Sequence, residues 1–276
     1  MYADDSTMYY AANTHNELNQ VLSQELETVH DWITSNKLVL NISKTKGIIF
    51  GSRHRLSARP KLDLYVDKVP IEQVEKVQLL GMVIDNHLTW SKQIDNVIRK
   101  MGVGIHMTRR CEPYVPSHIL EQVCRSLILS HLDYCSVVWA SATKTVLLKL
   151  QDAQNRAARL VLGCSSRTSV RKMQSSLSWL SVENRLASST VTFLGNTLRT
   201  HRPEFLKEQI VLCNTVHKPN TRKASNGDIV QAHPKTNFRK RTVLYRASKI
   251  WNELPQDIRQ EKSKISFKRR IKVHFS

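Results

Sequence analysis

The sequence predicts an α+β chain in which a small strand-and-turn region is followed by helices alone, and three observations carry that expectation. Runs rich in Thr, Tyr, Val and Ile, bounded by turn residues, end by residue 86. From Trp90 onward the apolar residues recur at helical spacing. Hydrophobic residues make up 41% of the 276, enough to bury a core, which excludes disorder along the whole chain.

Tyr2-Ala3, then Asp4-Asp5, then Ser6 to Ala11 read as strand, tight turn and strand. A helix starts at Thr14. Thr14 and Glu17 have the spacing of a capping box, and Leu18, Val21, Leu22, Leu26, Val29 and Ile33 fall on one face. Asn36 is placed to end this helix in a left-handed conformation. Leu38 to Asn41 and Gly47 to Phe50 read as short strands joined by the basic turn Ser43-Lys44-Thr45-Lys46, and Leu62 to Val66 and Val77 to Ile84 add two more strands.

After Trp90, Ser91 is placed to cap a helix bearing Ile94, Val97, Ile98, Met101 and Ile105. Pro116 opens another with Ile119, Leu120, Val123, Leu127 and Ile128. Thr143 to Leu162 is a third, with Leu147, Leu150, Ala153, Ala157 and Val161 inward and Gly163 just past its end. Ser181 to Thr200, Val243 to Leu254 and Ser266 to Phe275 complete the series. Residues 214–242 lack a period and carry Lys218, Arg222, Lys223, Lys235, Arg239, Lys240 and Arg241 against the single acid Asp228, the composition of a mobile basic linker.

The net charge of +19 and a pI near 10.0 point to a polyanionic partner, nucleic acid first and an anionic membrane surface second. The charge is uneven: residues 1–51 carry −3, residues 52–200 carry +10 and the last 76 carry +12. With eight glycines, no sustained heptad and five scattered cysteines, collagen-like, coiled-coil and disulfide-scaffold classes are excluded. No run approaches the ~20 apolar residues of a membrane span. MYADDSTMYY lacks the basic-then-apolar order of a signal peptide, so an intracellular protein of cytoplasm or nucleus is expected. Its cysteines should be free thiols, without the Cys/His spacing of a zinc site.

Adjacent carboxylates on a two-residue turn repel one another unless a cation neutralises them, so Asp4-Asp5 is a candidate metal site. Hard oxygen donors suit Mg²⁺, which takes one or two carboxylates together with substrate phosphates. Paired ions of this kind clamp the attacking and leaving oxygens of a phosphoryl transfer. An ordinary Asp-rich turn is the alternative.

YADD followed by an amphipathic helix, then WITSNKLVLNISKTKGIIF and VQLLGMVID, resembles the second half of a reverse transcriptase palm, more narrowly that of non-LTR (LINE-type) retrotransposon enzymes. The resemblance implies a partial palm over 1–86, a thumb-like helical region over 87–163, and a basic helical C-terminal region over 164–276 that contains the linker 214–242. SHLDYCSVVW, LLKLQDAQNRAARLVLG and LYRASKIWNELPQDIR are similar to the region that follows the thumb in these elements. The implied activity is RNA-directed DNA polymerisation with Mg²⁺ on Asp4 and Asp5. Lys44 or Lys46 would assist the leaving group, and Leu79, Leu80 and Gly81 would belong to the hairpin that grips the primer end. Read from the residues alone, the two lysines are equally solvated turn lysines, Leu80-Gly81 a strand bulge, and Trp139 and Trp251 core aromatics.

Implied partners are an RNA template and a DNA primer, with dNTP as substrate of the intact enzyme. The chain begins one residue before YADD, whereas the family draws a further aspartate and its fingers from upstream. The expectation is therefore an N-terminally truncated polymerase, inactive alone, with an upstream fragment as a further partner. A non-catalytic basic RNA-binding module is the alternative function. For either, Arg53, Arg55, Arg59, Arg109, Arg110, Lys268, Arg269 and Arg270 are the candidate phosphate contacts.

Overall fold

The computed structural model describes residues 6–58, 60–216, 226–231 and 234–276. The fold is 60% helical with a few short strands, compatible with the α+β class. It divides into two compact units, residues 1–88 and 89–276.

In the first unit, α1 (His15–Ser35) starts as its sequence dictates, Thr14 Oγ1 accepting the Glu17 N–H at 3.3 Å. Only half of the capping box closes, because the Glu17 carboxylate accepts the Tyr10 hydroxyl at 3.3 Å. The left-handed residue at the helix end is Lys37 (φ 57°), one place beyond Asn36. Asn36 stays near φ −86° and donates its Nδ2 to the Trp32 carbonyl at 2.8 Å. Leu22 and Leu26 of α1 pack with Leu40, Ile42, Leu62, Leu64, Val66 and Ile71 into one apolar cluster.

The strands are shorter than expected. Residues 6–11 form none. Neither do Leu38 to Asn41, where the Asn41 side chain accepts from the Ser43 hydroxyl and the Lys44 N–H and folds the chain into a turn. The observed pairs are β1 (Lys46–Gly47) parallel to β4 (Glu72–Gln73), and β2 (Tyr65–Val66) antiparallel to β3 (Val69–Pro70). β1 thus pairs with β4, not with Leu38 to Asn41 across the basic turn. A short helix, α2 (Arg53–Ser57), is capped by Ser52. Val77 to Ile84 is not one strand but a hairpin, β5 (Lys76–Leu79) against β6 (Met82–Asp85), with Leu79 opposite Met82. The two residues between them, Leu80 (φ 47°) and Gly81 (φ 77°), both lie at positive φ, the geometry of a tight hairpin turn whose twist matches the strands.

The second unit opens with α3 (Ser91–Cys111), whose cap is Trp90 in a left-handed conformation rather than Ser91. Thr89 Oγ1 accepts the Ser91 N–H instead. α4 (Ser117–Cys124) runs through a π-turn at residues 125–129 into α5 (Ser130–Asp133). The π-turn shifts the inward face, so that Leu120, Cys124, Ile128, Leu129 and Leu132 are buried whereas Ile119 and Leu127 are exposed. α3 crosses closely here: a Cβ on Gly104 would stand 2.9 Å from Ile128 Cγ1 and 3.1 Å from the Leu127 carbonyl oxygen. Cys135, left-handed, leads into α6 (Ser136–Trp139).

α7 (Lys144–Leu162) ends at left-handed Gly163, as the sequence indicates, and packs on α3 and α4. α8 (Val170–Leu177) and α9 (Val182–Thr200) also pack on α7, so the expected boundary at 163/164 falls inside this unit. Trp139 (0% exposed) and Trp251 (5%) are core residues.

After α10 (Glu204–Glu208) and α11 (Cys213–Val216), the expected linker proves partly built in. Leu212 and Ile229 form an antiparallel bridge, and the Ile229 side chain is 2% exposed. α12 (Asn237–Lys240), α13 (Val243–Glu253), α14 (Gln256–Arg259) and α15 (Lys264–His274) follow. Ile229 joins Val191, Leu194, Trp251, Phe267 and Ile271 in the core between α9, α13 and α15. Asn252 holds both the N–H and the carbonyl of Ile229 at 2.9 Å, Trp251 Nε1 donates to Gly227, and Asp228 pairs with Arg259. An aperiodic stretch is thereby fixed by backbone-to-side-chain bonds that no periodicity signals.

Candidate nucleic-acid interface

The acidic pair Asp4 and Asp5, with Tyr2 and Ala3, lies outside the described residues, as does Arg59. Among the described residues no group of three or more His, Cys, Asp or Glu is placed to hold a metal ion. Lys44 is exposed on the Asn41 turn. Lys46 lies opposite Glu72 in the β1–β4 pair, and its ammonium is paired with that carboxylate. Leu79 closes β5 and Leu80 stands 46% exposed on the hairpin turn.

The basic candidates fall on three separate elements. Arg53 and Arg55 are exposed on α2 in the first unit. Arg109 and Arg110 are exposed in the last turn of α3, where the helix dipole favours cations. Lys268 and Arg269 are exposed on α15. Arg270 is not equivalent to them: its Nη1 donates to the Asp257 carbonyl at 2.9 Å and to the Asp257 carboxylate at 3.2 Å, and its Nε lies 3.7 Å from Glu261. That arginine ties α15 to α14, which reduces its availability to a phosphate.

Charge counting cannot make this distinction, and other arginines are spent the same way. Arg185 binds the Asp133 carboxylate with two nitrogens at 2.6 and 2.7 Å, and Arg125 pairs with Glu121 while donating to the Leu177 carbonyl. Arg259, 6% exposed, pairs with Asp228. Arg199 donates to the Glu261 carbonyl at 2.7 Å and lies 3.9 Å over the Phe267 ring. Burial presses the Arg199 and Arg246 guanidiniums below their ordinary range, and for Arg199 the Glu261 charge partly counters this.

Three further titratable groups of the second unit are shifted by their surroundings. Burial pushes the Cys124 thiol up to about 11, with the Glu121 charge adding to it, so Cys124 is a protonated core residue. Burial, then Lys100, holds His131 below its usual value. Glu261 is held low by the Ser263 N–H first and the Ser266 hydroxyl second, which makes it a fixed acceptor at the start of α15. No helix among the described residues is long and apolar enough to cross a membrane.

Arg53 and Arg55 are thus exposed cations of the first unit, and Arg109, Arg110, Lys268 and Arg269 exposed cations of the second. The chain is 20% identical over 168 residues to a protein of Drosophila melanogaster named as a probable RNA-directed DNA polymerase from transposon X-element, covering 59% of this chain and 18% of that one. It is 23% identical over 211 residues to the probable RNA-directed DNA polymerase from transposon BS of the same organism, covering 72% of this chain and 22% of the other. These distant relationships support a reverse-transcriptase-related region, and the chain spans about a fifth of the length of the curated relatives it matches. No family model matches the chain. No solved structure matches it.

Proposed function

We propose that the chain is a nucleic-acid-handling part of a non-LTR retrotransposon reverse transcriptase, with residues 1–86 derived from the palm, 87–163 from the thumb and 164–276 from the basic region beyond. The observation that carries this reading is the distant homology to two transposon RNA-directed DNA polymerases over 59% and 72% of the chain. Exposed Arg53, Arg55, Arg109, Arg110, Lys268 and Arg269 contact the phosphates of an RNA template and a DNA primer. The Leu80-Gly81 turn meets the primer end, and Lys44 rather than the Glu72-paired Lys46 serves the leaving group. Asp4 and Asp5 are hard oxygen donors that suit Mg²⁺, which when bound supplies positive charge to a transferring phosphoryl group.

Two carboxylates are few for a pair of ions, so these 276 residues bind nucleic acid without extending a primer by themselves. The test is fluorescence anisotropy with an RNA–DNA hybrid across a salt series, beside primer extension on an RNA template with MgCl₂. Affinity should fall steeply with salt, and replacing Arg109 and Arg110 together by Gln should lower the logarithmic slope by about two. A salt-independent signal, or no binding, overturns the reading. Incorporation that Asp4→Ala abolishes overturns its non-catalytic part.

A further inference from the structure

We infer that α12 is a docking point for single-stranded nucleic acid, on which Phe238 stacks a base while Lys235, Arg239, Lys240 and Arg241 hold the flanking phosphates. This rests on the nucleic-acid-binding reading above and adds a contact surface to it. The segment was expected to be part of a linker. It is instead a turn of helix with a fixed anchorage: Thr236 Oγ1 accepts the Arg239 N–H at 3.2 Å, and the Thr242 hydroxyl donates to the Arg239 carbonyl at 2.9 Å. Thr242 also caps α13 by accepting the Tyr245 N–H at 3.4 Å, so one side chain joins the basic turn to the long helix behind it.

Two features of this turn point to the same ligand. Lys235, Arg239, Lys240 and Arg241 are all exposed, and among the described residues none of them has a carboxylate at ion-pair distance. Asp228, the acid the sequence places among them, is taken by Arg259. In their midst Phe238 keeps 42% of its surface in solvent. An exposed aromatic ring among unpaired cations combines a stacking surface with charge for a phosphate backbone, the pairing by which single strands are held with little regard to sequence. The geometry favours a single strand over a duplex, because stacking on a protein ring needs an unpaired base and a four-residue helix, about 6 Å long, is too short to follow a groove. An anionic bilayer would ask for a broader apolar face than one ring.

The test uses the full chain, a fluorescent 20-nucleotide polyuridine RNA, the same length of RNA duplex, and phosphatidylserine vesicles. Phe238→Ala should weaken polyuridine binding by about tenfold while leaving duplex affinity within twofold, and Phe238→Tyr should restore it. Arg239→Gln and Arg241→Gln should each lower the salt slope for polyuridine by about one unit, and circular dichroism of each variant should match the parent. Polyuridine affinity unchanged in Phe238→Ala, while the parent binds well, overturns this inference and leaves the wider reading standing. Equal losses on single strand and duplex overturn it too, as does a parent that binds the vesicles more tightly than polyuridine. A parent that binds no nucleic acid overturns both.

Discussion

Asn252 is the residue whose removal best tests how the second unit is assembled. Its side chain accepts the Ile229 N–H and donates to the Ile229 carbonyl, each at 2.9 Å, and Ile229 is 2% exposed. Asn252→Ala deletes both bonds and leaves a donor and an acceptor of a buried backbone unit unpaired. Each bond contributes about 1 kcal/mol net, and an orphaned backbone group adds a desolvation cost of similar size. Solvent reaches part of this site, so the sum is about 2–4 kcal/mol. In a unit of this length that corresponds to a fall in Tm of roughly 5–15 °C. Thermal and urea denaturation followed by circular dichroism would measure it, and hydrogen exchange at the Ile229 amide should lose its protection. If Asn252→Ala costs less than about 1 kcal/mol, or the Ile229 amide stays protected, residues 226–231 are not held as described.

Two further outcomes follow from the same geometry. Gly102 and Gly104 lie on one helix and should respond oppositely to alanine: nothing stands within 4 Å of a Cβ at Gly102, whereas one at Gly104 meets Ile128 and the Leu127 backbone at 2.9 and 3.1 Å. Urea denaturation should show Gly102→Ala stabilising by about 0.5–1 kcal/mol and Gly104→Ala destabilising by about 1–2 kcal/mol, and equal effects would mean that α3 does not cross the π-turn so closely. Glu261 has its carboxyl held below the ordinary 4.5 by the Ser263 N–H and the Ser266 hydroxyl, so its stabilising contribution is complete above that value and is lost as pH falls through the lower folded-state value. Glu261→Gln should therefore flatten the stability profile on the acid side of 4.5, and an unchanged profile would show that those bonds do not favour the folded state.

Local, periodic signals were legible in the sequence. The start of α1 at Thr14, the end of α7 at Gly163 and the burial of Leu150, Ala153, Ala157 and Val161 each depend on residues within a few turns of one another. Strands were harder to read. Leu38 to Asn41 has the composition of a strand, yet the Asn41 amide competes for nearby donors and folds the backbone locally. The asparagine signal also misplaced one left-handed position, which falls on Lys37 rather than Asn36, and no residue preference marked those at Leu80 and Trp90. Among the candidate site residues, exposure was readable but availability was not. KRR at 268–270 reads as three equivalent cations, and only the fold shows that Arg270 is bound to Asp257.

The same distinction bears on the stretches that carry the family resemblance. In LYRASKIWNELPQDIR, Trp251 and Asn252 grip residues 227 and 229, Leu254 and Ile258 are buried, and Arg259 neutralises Asp228. In SHLDYCSVVW, Asp133 binds Arg185, Trp139 Nε1 donates to the Tyr134 carbonyl at 3.0 Å, and Cys135 takes the left-handed bend between two short helices. These residues are occupied in holding helices together, which leaves few of their polar atoms for a ligand. Lys249 and, on α7, Lys149 and Arg156 stay exposed within resembling stretches, and further exposed cations stand at the end of α3, on α15 and on α12. In these two stretches the resembling residues therefore mark scaffold, and the surface proposed above has to be sought among the positive charges that the scaffold leaves unpaired.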